Sequence, residues 1–411
     1  MNRRRFIFGT AAAATLLGVG GTALARRTLW NPCRASLPPD IASHEIIRAA
    51  WHGLDPAQVW DCHAHLAGIG DGGSGVTITP RMLSPLHPTE YFQRLFYLNA
   101  GCAHQAPGRV DQSYVERLHN LADGTHTGFK LMLLAFERTH DENGQARPEL
   151  TAFHIPNAYA RDVARDHPAY FEWACSIHPY RPDCVEALEA AARDGARAVK
   201  WLPPAMGIDP SSPACDRFYA ALARLDLPLI THAGEEKAVH GAGQPAWGNP
   251  LRLRRALDHG VRVVIAHCAS LGEDQDEDRG RNAPRVSSFS LFSRLMGEQR
   301  YAGLLFGDIS AINLRNRDLG VIRQLLQRED WHPRLLFGTD YPLPGILPLV
   351  SARQLASEKL LDPATVPVLE TLREHNPLLF DFVLKRHLRS GHRHFAPGVF
   401  ETRHFFDRKP A

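Results

Sequence analysis

The run Asp61-Cys62-His63-Ala64-His65 closes a short apolar stretch and sets two imidazoles one residue apart. Side chains alternate faces along a strand, so both rings point the same way and can reach one metal ion. Single polar residues close several later apolar runs: His178, Lys200, His232, His267 and Asp340. Neutral imidazoles and a carboxylate suit zinc, and three or four protein ligands leave one position for water. An ion in such a site lowers the pKa of its water and polarises a carbonyl. Any one of these histidines, taken alone, reads more simply as a hydrogen-bonded structural residue. The whole set, in this order and each at the end of an apolar run, points to one assembled centre.

Such a centre needs elements that bring distant segments to one place. Apolar runs read as strands at 58–66, 129–136, 171–178, 196–202, 227–232, 261–267, 304–309 and 335–339. Amphipathic patterns between them read as helices at 113–122, 184–193, 215–225, 250–258 and 319–328. Strand and helix alternating eight times predict the α/β class and a (β/α)8 TIM barrel. Each polar residue lies at the C-terminal end of its strand, the face where such barrels carry chemistry. Long insertions follow strands 1 and 6, at 67–128 and 270–303. Both leave that face and are expected to wall the pocket. The charged run Glu273-Asp274-Gln275-Asp276-Glu277-Asp278-Arg279 reads as a solvated surface loop.

The chain is organised as an export signal at 1–25, a linker at 26–50, a barrel domain at 51–382 and a basic, histidine-containing tail at 383–411. Arg3-Arg4-Arg5 precedes an apolar stretch, and Ala23-Leu24-Ala25 offers a small-x-small cleavage site, the layout of a twin-arginine-like signal. Uncleaved, it would anchor the protein at a membrane; cleaved, it predicts a periplasmic or exported protein. The formal charge of +3 includes those three arginines, so the remainder is near neutral and nothing points to nucleic acid. Seven cysteines are too few and too scattered for a disulfide scaffold. Cys62 and Cys268 adjoin candidate ligands and are read as small residues packing against helices. Cys175 and Cys184 are the pair considered for a disulfide, which sequence does not decide.

These motifs together resemble the amidohydrolase superfamily, and within it the amidohydrolase-related group of metal-dependent TIM-barrel hydrolases and non-oxidative decarboxylases. The resemblance rests on the Asp61–His65 run, Thr231-His232-Ala233-Gly234, Ala266-His267-Cys268 and Phe337-Gly338-Thr339-Asp340-Tyr341-Pro342, with Asn376-Pro377-Leu378-Leu379-Phe380 closing the domain. It implies His63, His65, His232 and Asp340 as metal ligands, with Asp340 and His267 catalytic. Lys200, His267 and His178 are then candidates for a second metal or for substrate. One Zn2+ is expected, or two if Lys200 is carbamylated.

The function so implied is hydrolysis of an amide, lactone or related C–N or C–O bond in a small molecule by metal-activated water. The alternative is a non-oxidative decarboxylase acting on a carboxylated substrate. A non-catalytic exported binding protein ranks third, because no ligand is missing. The implied partners are a small-molecule substrate and the twin-arginine export machinery, and a homo-oligomer is compatible. Arg181, Lys237, Arg315 and Arg317 could meet a carboxylate, or could serve surface solvation equally well. Glu235-Glu236, just after His232, is a candidate for the pocket.

Overall fold

The structure is a computed structural model that describes residues 29–237, 239, 244–280 and 282–407. The export signal read at 1–25 lies outside the described residues. Eight parallel strands carry the architecture: β1 (Trp60–His65), β2 (Lys130–Leu134), β3 (Phe171–Ala174), β4 (Val199–Trp201), β5 (Leu229–His232), β6 (Val263–Ala266), β7 (Leu305–Asp308) and β8 (Leu335–Leu336). Hydrogen bonding orders them as two arcs, β1-β2-β3 and β4-β5-β6-β7-β8. Main-chain bonds join the arcs at both seams. Cys175 N donates to Ala198 O (2.9 Å) and Lys200 N to Cys175 O (2.7 Å); Cys62 N donates to Phe337 O (3.1 Å) and His65 N to Tyr341 O (2.8 Å). The eight-stranded barrel expected from the alternating pattern is therefore present and closed.

Helices take the intervening segments, among them Val110–Asp123, Cys184–Arg193, Asp216–Arg224 and Leu319–Gln327. They bury one stripe each, Val321, Ile322, Leu325 and Leu326 in the last case, as the 3.6-residue period predicts. Two apolar layers result. One lies between strands and helices; the other fills the barrel with Trp60, Cys62, Met132, Leu134, Ile230 and Val264 among its members.

Cys62 corrects the period-two reading. Its register with β2 shifts between Asp61 and Ala64, so Cys62 faces the barrel interior, not the helices, while His63 and His65 still reach the pocket. The strands also approach closely here: a Cβ on Gly338 would lie 2.8 Å from that of His63, so no larger residue fits without displacement.

The segments flanking the barrel belong to it. Asn31, in the stretch read as a linker, donates through Nδ2 to Gly345 O and Arg373 O, both at 3.3 Å. Cys33 forms a disulfide with Cys102, while Cys175 and Cys184 are buried and not disulfide-bonded. The helix Pro377–His387 runs across the boundary drawn at 382, with Asn376 capping it by accepting from Leu379 N (3.0 Å). Beyond it, Phe405 and Phe406 join the barrel-interior cluster, and Thr402 Oγ1 donates to Trp60 O (2.6 Å). The tail therefore seals the end of the barrel opposite the polar strand ends. Its histidines do not gather into a metal site among the described residues.

The insertion after β1 packs over the catalytic end, where Thr77–Ile78 pairs antiparallel with Phe153–His154 from the segment after β2. Among the described residues, none of the insertion after β6 lines the pocket. Nor is its charged run simply solvated. Asp276 is fully buried and binds Arg294 through both oxygens (2.6 Å each), and Glu277 accepts from Arg252 (3.0 Å). The run and its partners form a folded ion-pair hairpin with Arg285–Ser287.

Candidate metal centre

The polar strand ends converge as the alternating pattern requires. His63, His65, Lys200, His232, His267 and Asp340 line one pocket above the barrel, with an empty volume of ≈ 880 Å³ counted to open solvent. Within it, ligand atoms of His63, His267 and Asp340 lie within 4.8 Å of one another. His65 Nε2 is 3.1 Å from Asp340 Oδ1, and His232 Nε2 is 3.2 Å from Glu236 Oε2. His178 is not brought here. Its Nε2 meets Met206 O (3.0 Å) and its Nδ1 accepts from Tyr180 N (3.3 Å), so it serves the loops after β3 and β4.

Hydrogen bonding orients the imidazoles. Nδ1 of His63 lies 2.9 Å from Asp308 Oδ2, an acceptor only, so the proton sits on Nδ1 and the Nε2 lone pair turns to the centre. Nδ1 of His267 faces the carbonyl of Ser310 (3.0 Å), which fixes the same tautomer. Both Nε2 atoms then look toward Asp340, at 3.6 Å. Asp308 also accepts from the main-chain N of His267 (2.9 Å) and from that of Ser310 (3.0 Å). It lies at the end of β7, fully buried, and sequence reading missed it. The available signal was a lone acid inside the apolar run 304–309, the same signal that marked Lys200 in β4.

Asp61 plays a second unassigned role. Its Oδ1 accepts from His63 N (3.0 Å) and Thr339 N (2.9 Å), and its Oδ2 from Thr339 Oγ1 (2.5 Å). It thereby ties the histidine dyad to the turn that carries Asp340. Burial pushes its carboxyl up to about 7 against those hydrogen bonds.

The backbone is strained where the chemistry converges. His267, Cys268 and Ala269 occupy left-handed conformations in succession (φ 56°, 51° and 50°), as does Asp340 (φ 60°). Non-glycine residues hold such angles only where surrounding contacts enforce them, and they cluster at functional sites.

Burial sets the charge states. It pushes His65 down to about 4 and His232 to about 3, and holds His267 well below its ordinary value, so all three are neutral. Burial would raise Asp340, but its setting in the site, with His65 Nε2 3.1 Å from Oδ1, holds the carboxyl well below its ordinary value and ionised. Lys200 is also fully buried, with Nζ 2.9 Å from His63 Nε2, and burial lowers its pKa against the pull of Asp308 and Asp340.

This donor set fits a divalent ion. It offers neutral nitrogens with fixed lone pairs and an ionised carboxylate. His232 Nδ1 is buried with no hydrogen-bond partner among the described residues, which suits a nitrogen awaiting another ligand. Lys200 Nζ competes for the His63 lone pair, so an ion seated there displaces it. Because Asp308 orients two of these histidines from behind, Asp308→Asn is expected to lower metal affinity about 10–100-fold, read by chelator competition. Unchanged affinity would show that Asp308 only packs.

The amidohydrolase family pattern matches residues 60–287. No curated protein matches the chain. Among solved structures, an uncharacterized TIM-barrel protein of Bordetella bronchiseptica is 15% identical with TM-score 0.45, covering 76% of this chain and 98% of its own. A probable 2-pyrone-4,6-dicarboxylic acid hydrolase of Acinetobacter baumannii, with citric acid bound, is 13% identical with TM-score 0.42, covering 80% and 99%. A 5-carboxyvanillate decarboxylase of Novosphingobium aromaticivorans, complexed with manganese and a nitrobenzoic acid, is 14% identical with TM-score 0.43, covering 81% and 98%.

Proposed function

This chain belongs to the amidohydrolase family, and from that premise we propose that it is a metal-dependent hydrolase cleaving an amide, lactone or related C–N or C–O bond in a small molecule. The observation that carries this reading is the pair of locked tautomers, with Nε2 of His63 and of His267 both turned toward ionised Asp340. His63, His65, His232 and Asp340 would hold one zinc ion. When bound, the ion supplies Lewis acidity toward a carbonyl and lowers the pKa of a neighbouring water.

The remaining work falls to side chains. Asp340, between His65 and His267, accepts the water's proton and returns it to the leaving atom. His267, neutral and held by Ser310, offers Nε2 as the next proton acceptor. Apolar walls exclude bulk water and strengthen these electrostatic contacts.

The signal at 1–25 would send the folded protein through the twin-arginine machinery to an oxidising compartment. The Cys33–Cys102 disulfide supports that destination.

Elemental analysis of the purified protein is expected to find about one zinc per chain, as a closed set of nitrogen and oxygen ligands predicts. Chelation should abolish turnover of a panel of lactones and amides, and zinc should restore it. Two ions with Lys200 carbamylated in a crystal structure would replace the one-ion assignment. Carbon dioxide released without consumption of water would replace hydrolysis by decarboxylation. Absence of bound metal, with none taken up on addition, would sink the proposal.

A further inference from the structure

Above the polar floor the pocket is walled by Val76, Ile78, Met82, Leu98, Phe153 and Ile155. One cation interrupts this wall. Arg94, on the helix Pro88–Ala100, lines the pocket, and its Nε donates to Met82 O at 2.8 Å. Its guanidinium lies 5.3 Å over the Tyr91 ring. These two contacts fix the plane of the group and use a single N–H. Among the described residues no carboxylate pairs with Arg94, although the chain's other arginines are widely paired. The pocket's other lining cation, Lys200, lies at the floor, with Nζ 2.9 Å from His63 Nε2, where the reacting group and not a remote carboxylate would sit.

A planar cation held in a mostly apolar wall, with its outer nitrogens uncommitted, is built to meet a planar anion through two parallel hydrogen bonds. The polar groups of such pockets fix ligand orientation, while the apolar walls contribute area. Arg94 is the one lining cation outside the floor among the described residues, so the wall offers a place for a single carboxylate remote from the reacting group.

We propose that Arg94 is the specificity-determining residue of the pocket, and that the substrate is an elongated, otherwise apolar molecule bearing one carboxylate remote from the bond that reacts. The carboxylate docks on Arg94, the apolar body lies along the aliphatic wall, and the scissile group reaches the floor. This assignment of substrate class rests on the hydrolase reading above.

Alkyl hydroxamates, which chelate zinc at one end, test it when the other end is varied. One series, over a range of spacer lengths, ends in a carboxylate and the matched series ends in methyl. In the zinc-loaded protein the best carboxylated member should bind on the order of tenfold more tightly than its methyl counterpart, the scale of a charge-assisted hydrogen bond. Arg94→Gln should erase that difference and leave the methyl series unchanged, which also shows the pocket to be intact. Arg94→Lys should keep part of it. Equal affinities in the unaltered protein, or a difference that survives Arg94→Gln, would overturn the proposal.

Should neither series respond to zinc, the metal reading fails, and octanoate binding to the metal-free protein decides for Arg94 alone. Binding lost in Arg94→Gln keeps the anion site. Binding that is absent or unaffected removes it.

Discussion

Asp340→Asn should reduce kcat about 10²- to 10⁴-fold, the usual loss when a positioned acid–base group is removed. The amide keeps the shape of the carboxylate but cannot take a proton from water at neutral pH. Its fold cost should be small, because the main chain around it is held independently. Asp340 N donates to His63 O (2.8 Å), and Thr339 is fixed by Asp61. The informative measurement pairs turnover with metal content. Loss of kcat with the ion retained assigns Asp340 to proton transfer, and loss of both makes it a ligand first. An Asp340→Asn protein that turns over normally would remove the centre from the mechanism.

The second large effect is on stability. Lys385 and Asp381 are fully buried and paired one helical turn apart, and Lys385 Nζ also donates to the carbonyl of Gly338 at 2.7 Å. Asn313 Nδ2 donates to the second partner, Asp381, at 2.9 Å. Removing one member of such a pair strands the other charge in the interior, at a cost of about 3–5 kcal/mol. Lys385→Met should lower the denaturant midpoint accordingly. Adding Asp381→Leu should recover much of the loss, because no lone charge then remains. Full stability in Lys385→Met would mean that the pair is dispensable. The helix also supports the turn bearing Asp340, so partial loss of metal affinity should accompany the instability.

Much of this arrangement was legible from the chain. Apolar runs located all eight strands, and the polar residues marked at or near the ends of six of them meet in one pocket, His178 excepted. His178 looked the same in sequence because a strand end gives no sign of what its side chain will meet. Here two backbone groups satisfied it. Asp308 failed for the opposite reason: it lies inside a run read as a strand, and its role exists only once β6, β7 and β1 are side by side. Cys62 was misplaced by a local register shift that a strict two-residue alternation cannot show. The Cys33–Cys102 bond and the sealing of the barrel by Phe405 join residues far apart in the chain, and no local pattern encodes such contacts. The charged run at 273–279 looked solvated because its arginine partners, Arg252, Arg254 and Arg294, lie outside it.

The seal made by Thr402, Phe405 and Phe406 also bears on the order of events during synthesis. Trp60 is among the first barrel residues to be made, yet its carbonyl waits for a hydroxyl 342 positions later, and its ring cluster waits for two phenylalanines later still. Domains generally fold as units while the chain is being made, and pairing across long separations is slow. The barrel interior can therefore become dry only after the segment 402–406 has been translated. Until then its open end exposes apolar surface, and a holding chaperone would find its longest-lived target there.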